Sequence, residues 1–457
     1  MKRIIFAVVF VFCLGPSLLY AQKTYQANWE SIDSRPVPGW FEDAKFGIFV
    51  HWGLYSVPSW GPVGQYAEWY WDKQNPEGKP SQAFTDFHNA TYGKDFKYQD
   101  FVKDFKAEMF NPDLWADIFK NAGAKYVVLT SKHHEGFALW PSAQSWNWNS
   151  VDVGPHRDLC GELTKAVKAK GLHMGFYYSL YEWFNPLYKT DVKKYVEDHM
   201  IPQMKDLVTR YEPDLVWTDG EWGQTSETWE STRFLAWLFN ESPVKNTVAV
   251  NDRWGKETRG KHGGFFTTEY DKVHSDNSTG KLFKRPWEEC RGIGGSFGYN
   301  RNENLENYSG SEELVHILID KVSRGGNLLL NVGPTADGRI PVIMQQRLSD
   351  MGNWLKINGE AIYATRHWEN APAVTPETTV FYTQKGTDLY VIVTKWQDKP
   401  IVIQNVSKAG PVSLLGYGGK VKYTSSGKRL VITPPVLTPA TNPCKYAWVF
   451  KVQNAIH

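Results

Sequence analysis

Between residues 45 and 360 the chain alternates short, almost unbroken apolar runs with amphipathic segments. Few folds accept that pattern. Runs that stay apolar at successive positions predict strands covered on both faces, as in a parallel sheet under a helical layer. They fall at 45–53, 126–131, 173–179, 214–219, 247–251, 264–269 and 327–332, with a weaker one at 289–297. Helices are expected at 112–121, 157–170, 196–211, 227–239 and 312–324. Asn111 caps the first and Pro112 opens it, while Gly171 stops the second. About eight strands in alternation with helices predict an α/β fold, a (β/α)₈-type barrel.

The texture changes near residue 370, where Glu369-Asn370-Ala371-Pro372 reads as a linker. Short β-type runs follow at 379–383, 389–394, 401–406, 421–425, 430–433 and 447–452, broken by Gly, Pro, Asn and Ser. They predict a β-sandwich. The expected division is a signal peptide at 1–21, a catalytic barrel at 22–368 and the sandwich at 369–457. The signal peptide is read from Met1-Lys2-Arg3 followed by an apolar core over 4–15, with cleavage after Ala21. That core is too short to span a bilayer, and no later run is long enough for a membrane helix. The expectation is an exported protein, periplasmic or secreted. Loss of Lys2 and Arg3 brings the 51 basic residues to 49, equal to the acidic count. A neutral chain has no electrostatic footprint for nucleic acid. Once Cys13 is removed, Cys160, Cys290 and Cys444 remain without close spacing. They predict neither a disulfide framework nor a metal cluster; one bridge is possible, with no pair assigned.

Barrel chemistry sits at the C-terminal ends of strands, so the residues that end each run matter most. They are Phe49-Val50-His51-Trp52-Gly53, Lys132-His133-His134-Glu135-Gly136, Tyr177-Tyr178-Ser179, Trp217-Thr218-Asp219-Gly220, Asn251-Asp252-Arg253-Trp254 and Thr268-Glu269-Tyr270. Polar groups repeat at the same end and converge on one pocket. Paired carboxylates among imidazoles and aromatics suit glycoside hydrolysis, in which one acid attacks or activates water and the other protonates the leaving oxygen. Alone, Asp219-Gly220 reads as a turn. Its place after a buried run favours function. Adjacent His133 and His134 cannot share one strand face, and no His-x-x-x-His or Cys-x-x-Cys occurs, which argues against zinc. Gly294-Gly295-Ser296-Phe297-Gly298 matches a serine-hydrolase motif, but the segment after it is a poor helix start.

Several motifs appear together. They are Trp40-Phe41, the run 45–53, Glu68-Trp69-Tyr70, His133-His134-Glu135-Gly136-Phe137, Trp217-Thr218-Asp219-Gly220, Asn251-Asp252-Arg253-Trp254 and Gly298-Tyr299-Asn300-Arg301. In this order they resemble glycoside hydrolase family 29, the α-L-fucosidases, over 40–363. The resemblance implies a retaining exo-glycosidase. It would remove terminal α-L-fucose from oligosaccharides or glycoconjugates through a covalent fucosyl–Asp219 intermediate, with no cofactor and no metal. It implies Asp219 as nucleophile and Glu269 as acid/base, with Glu288 and Glu68 as alternatives for the second role. The implied fucose pocket holds His51, Glu68, Trp69, His133, His134, Tyr177, Trp217, Arg253 and Phe297, and Phe49 completes its wall. Two other readings stand beside this one: an inactive fucose- or glycan-binding barrel, and a hydrolase of a related sugar. The presence of both Asp219 and Glu269 favours an active hydrolase.

Overall fold

The computed structural model describes residues 23–456 apart from 76, 272–284 and 407. The expected signal peptide at 1–21 lies outside the described residues. Eight parallel strands form one sheet: β1 (Phe46–Val50), β2 (Tyr126–Lys132), β3 (His173–Ser179), β4 (Leu215–Asp219), β5 (Ala249–Val250), β6 (Phe266–Glu269), β7 (Trp287–Gly292) and β8 (Asn327–Val332). Their order is β5-β4-β3-β2-β1-β8-β7-β6, so β1 pairs with both β2 and β8. The curl has a seam between β5 and β6, which share no ladder. A parallel neighbour must be reached by a crossover that returns to the far end of the sheet. Residues 251–265 are turns instead, and the backbone bonds Gly264 N to Asn251 O and Phe265 N to Val250 O, both 3.0 Å, help tie the seam.

Alternate residues of each strand feed two separate cores, which is why the strands read as continuous apolar runs. Ile48, Val50, Val127, Leu129, Phe176, Val216, Leu328 and Leu330 face the helices. Phe49, Tyr126, Val128, Tyr177, Leu215, Trp217 and Leu329 fill the interior of the curl. The helix Gly39–Ala44 plugs its bottom, with Phe41 stacked on Phe265 at 4.0 Å. A ligand can therefore approach only from the strand C-termini.

Helices Pro112–Asn121, Leu159–Ala169, Ile201–Tyr211, Ser231–Asn240, Ser311–Ser323 and Val342–Asn358 cover the outside. Asn111 caps the first by accepting from Leu114 N at 3.0 Å. The strand expected at 289–297 is β7, two residues earlier, and it ends at Gly292 before a glycine-rich turn. The helix expected from 227 begins at Ser231, because Glu230 sits at φ +49°. The segment expected as helix over 196–211 opens with a wide turn, Val196–Met200. Pro202, which has no N–H, follows in the first turn of Ile201–Tyr211.

Seven antiparallel strands follow: β9 (Val380–Lys385), β10 (Asp388–Val393), β11 (Ile401–Gln404), β12 (Val412–Leu414), β13 (Lys422–Ser426), β14 (Arg429–Thr433) and β15 (Trp448–Val452). They form sheets β12-β15-β10-β9 and β11-β14-β13 around a separate core that includes Leu389, Val391, Leu430 and Phe450. β12 escaped the sequence reading because three residues are too short to show a period. The larger sheet rests on the outer helices. Trp354 Nε1 donates to Ala447 O at 2.9 Å, and Ile392 and Val449 join the barrel's outer core. Cys160, Cys290 and Cys444 are free thiols, so the possible bridge does not form.

Candidate active site

The strand ends open into one cavity of about 490 Å³. Asp219 is the last residue of β4, on the inward face it shares with Leu215 and Trp217. Gly220 follows at φ +71°, where a Cβ would lie 2.6 Å from Tyr181 Cβ. Only a residue without a side chain lets the chain turn so tightly behind the carboxylate. Asp219 Oδ1 accepts from Arg253 Nη1 at 2.7 Å, and Oδ2 accepts from the Tyr177 hydroxyl at 2.9 Å. The guanidinium of Arg259 stands 3.6 Å from Oδ1. Burial alone raises the pKa of such a carboxyl, but these charges outweigh it, Arg253 foremost, and hold Asp219 well below the usual carboxylate range. His134 lies 3.9 Å away, yet burial keeps that imidazole neutral, so the guanidinium groups supply the charge.

Glu269 ends β6. Its Oε2 accepts from Nη2 of the same Arg253 at 3.2 Å and its Oε1 from the Tyr66 hydroxyl at 3.1 Å. One guanidinium thus spaces two carboxylates. Arg253 is itself fixed from behind. Its Nε donates to Thr267 Oγ1 at 3.0 Å, which donates to Asp252 Oδ1 at 2.7 Å, and its plane lies 4.4 Å from the Trp217 ring. Asn251 locks the tip of β5 to β4, donating to Thr218 O at 2.8 Å and accepting from Thr218 Oγ1 at 2.9 Å. The run Asn251-Asp252-Arg253 is therefore a mount for one charge. Replacing Arg253 by Met removes the group that keeps Asp219 ionised, so the Asp219 pKa rises. The acidic limb of the kcat/KM profile is expected to move up by about one to three pH units. A pH–rate profile of the variant checks this.

The histidines are set as acceptors. Asn331 donates its amide to Phe297 O at 2.6 Å, so its Oδ1, 2.7 Å from His51 Nδ1, must accept from that nitrogen. Ser179 donates to Tyr181 O at 2.6 Å, so His134 Nδ1, 2.6 Å away, donates to Ser179 Oγ. Both rings are left with a bare Nε2. Burial lowers the His51 pKa to about 3 and also pushes His134 down, so both remain neutral. Neutral acceptors suit hydroxyl donors rather than anions. His133 lies parallel to Tyr177, with ring centres 5.6 Å apart. Phe49, Trp217 and Phe297 supply the apolar floor, Phe49 being 5.0 Å from Trp217.

The structure brings all twelve expected residues to this cleft, including Glu68 and Trp69. Glu68 Oε2 accepts from Gly298 N at 2.8 Å and from Ser296 Oγ at 3.1 Å. Ser296, the centre of the serine-hydrolase match, also accepts from Ala67 N at 2.9 Å and positions Glu68. Glu288, the other alternative acid, does not line the cleft. It lies beneath it, fully buried, accepting from Trp217 Nε1 at 2.9 Å and bonded to the Tyr126 hydroxyl. Burial raises its pKa to about 7 from 4.5. The folded state therefore holds an extra proton between those values, and stability falls as pH rises through that window. Glu288→Gln keeps the acceptor for Trp217 and has no proton to lose. Above pH 7 it is expected to be more stable than the parent by roughly 3 kcal/mol, with near-parental turnover. Chemical denaturation at pH 5 and pH 8 checks this.

Sequence reasoning missed Tyr66, Glu221, Trp222, Lys256, Glu257, Arg259, Lys261 and Cys290. Only Cys290 carried a signal, since it lies two residues from Glu288 on the inward face of β7. The others sit on turns, which have no period.

Known proteins resemble both parts of the chain. Residues 15–360 match the family model described as Alpha-L-fucosidase, and residues 374–453 match that of the Alpha-L-fucosidase C-terminal domain. The chain belongs to glycoside hydrolase family 29, the α-L-fucosidases. Tissue alpha-L-fucosidase of Rattus norvegicus is 45% identical over 443 residues, covering 94% of this chain and 93% of that protein. The Homo sapiens tissue enzyme is 44% identical over 441 residues, covering 94% and 92%. Among solved structures, Thermotoga maritima alpha-fucosidase with a mechanism-based inhibitor is 38% identical with a TM-score of 0.79, covering 94% of this chain and 99% of that one. Two fucosidase family models thus adjoin in this chain, one over the parallel sheet and one over the antiparallel sheets.

Proposed function

We propose that this chain is a retaining exo-α-L-fucosidase in which Asp219 is the nucleophile and Glu269 the acid/base. The observation that carries the roles is the shared guanidinium: Arg253 holds an ionised Asp219 on one nitrogen and Glu269 on the other. Asp219 attacks the anomeric carbon of fucose as the bond to the leaving oxygen breaks, and Glu269 gives that oxygen its proton. The resulting ester is β-linked. Glu269 then takes a proton from water, whose oxygen attacks the same carbon, releases Asp219 and yields α-L-fucose. His51 and His134 accept hydrogen bonds from fucose hydroxyls at Nε2, and Glu68 accepts another. The floor of Phe49, Trp217 and Phe297 packs on the apolar face and the C6 methyl.

Substrates are terminal α-L-fucosides of oligosaccharides or glycoconjugates. Export is part of the same proposal and rests on the sequence pattern of residues 1–21. The test is hydrolysis of an aryl α-L-fucoside followed by NMR. Turnover with α-L-fucose as the first-formed anomer is expected. First-formed β-L-fucose would overturn the retaining mechanism. No turnover on aryl or oligosaccharide α-L-fucosides would leave a glycan-binding barrel.

A further inference from the structure

The cleft is larger than one deoxyhexose needs, and its mouth differs chemically from its floor. Deep in the cleft each charge is spent internally: Arg253 on Asp219 and Glu269, and Arg259 on Glu221. At the mouth, Lys256 and Lys261 line the same cavity and are exposed. Neither Nζ forms a hydrogen bond or ion pair with the described residues. The carboxylate of Glu257 lines the same cavity in the field of Lys256, and its Oε1 accepts from both Ser226 N, at 2.9 Å, and Ser226 Oγ, at 2.5 Å. Both lysines belong to the turns that run from β5 into β6, the strand that ends in Glu269. Lys256 and Lys261 thus share one cavity with Glu269, the acid that protonates the leaving oxygen. Trp222 lines the same mouth, 41% exposed, its ring near-parallel to Trp69 at 6.2 Å. An exposed indole in a sugar cleft offers its face to a second ring.

We propose that the mouth of the cleft is a leaving-group subsite for a sugar carrying an anionic substituent, a sulfate ester or a carboxylate, with Lys256 and Lys261 as the charge contacts and Trp222 as the stacking face. The inference rests on the fucosidase reading and adds its leaving-group class. Uncommitted cations at the rim of a low-dielectric cleft attract such a group more strongly than the same lysines on a flat surface. Solvent access keeps the effect modest and sensitive to salt.

The test compares four aryl α-L-fucosides with matched leaving-group acidity. The phenol carries, beyond a methylene spacer, a carboxylate, its neutral carboxamide, a sulfate ester or its neutral alcohol. The full-length protein is expected to show kcat/KM about three- to tenfold higher for one or both anionic members over their neutral partners at low salt. That ratio should fall toward one in K256M/K261M and at about 0.5 M salt. The two arms identify whether sulfate or carboxylate is preferred. Ratios near one in the parent, or a preference that survives K256M/K261M, would overturn the proposal. Turnover of the neutral substrates by the parent separates either result from failure of the fucosidase reading. Both substituted side chains are exposed, and circular dichroism of the variant confirms the fold.

Discussion

Asp219→Ala is expected to lower kcat on an aryl α-L-fucoside by on the order of 10⁴-fold or more, the scale seen when a nucleophile is removed from a preorganised site. The reason is geometric as well as chemical. Asp219 is held by Tyr177 and Arg253 on separate oxygens, so no water in its place would be aimed or charged alike. Azide, a small anion, fits the vacated space beside Arg253 and can attack the anomeric carbon from the same side. Added azide should restore part of the rate and give β-L-fucosyl azide, identified by NMR. Parental rates in the variant would remove Asp219 from the mechanism.

Glu269→Ala separates the second role from the first because its effect depends on the leaving group. A departing sugar hydroxyl needs a proton, and kcat/KM for a fucosylated oligosaccharide is expected to drop about 10²- to 10⁴-fold. A strongly acidic phenol leaves without help, so the same variant should keep much of the parental rate in forming the intermediate from a dinitrophenyl fucoside. Azide then captures the fucosyl ester and gives α-L-fucosyl azide, the opposite anomer to that from Asp219→Ala. If this leaving-group dependence appeared in Glu68→Gln and not in Glu269→Ala, the acid/base role would pass to Glu68. Glu288 cannot take it, since it lies under the Trp217 indole, outside the cleft.

The two carboxylates were legible in the sequence for different reasons. Asp219 follows an apolar run and precedes a glycine, and both features survive in the structure as a strand end and a left-handed turn. Glu269 was found by its place after Asn251-Asp252-Arg253-Trp254. The structure adds what that motif does, which is to mount the guanidinium that both acids share. His51 and His134 were legible as pocket residues, but their neutrality was not. It depends on burial, while Asn331 and Ser179, residues distant in sequence, fix which ring nitrogen carries the proton. Arg259 and Lys261 left no trace, because a turn obeys no periodicity and its side-chain directions are set by what it packs against.

Local patterns alone determined most of the strands and five of the six outer helices, missing β12 and Val342–Asn358, together with the order of β- and α-rich regions and the residues at the strand ends. Strand alternation, helix caps and glycine stops act within a few residues and so are written in any short window of the chain. Tertiary structure decided everything that depends on distance across the curl. It placed the seam between β5 and β6, sank Glu288 beneath the floor and joined Asp219 to Glu269 through Arg253. It also brought Lys256, Lys261 and Trp222 to the lining of one cleft. Burial and charge pairing arise only when strands far apart in sequence meet, and those two quantities assign each acid its protonation state.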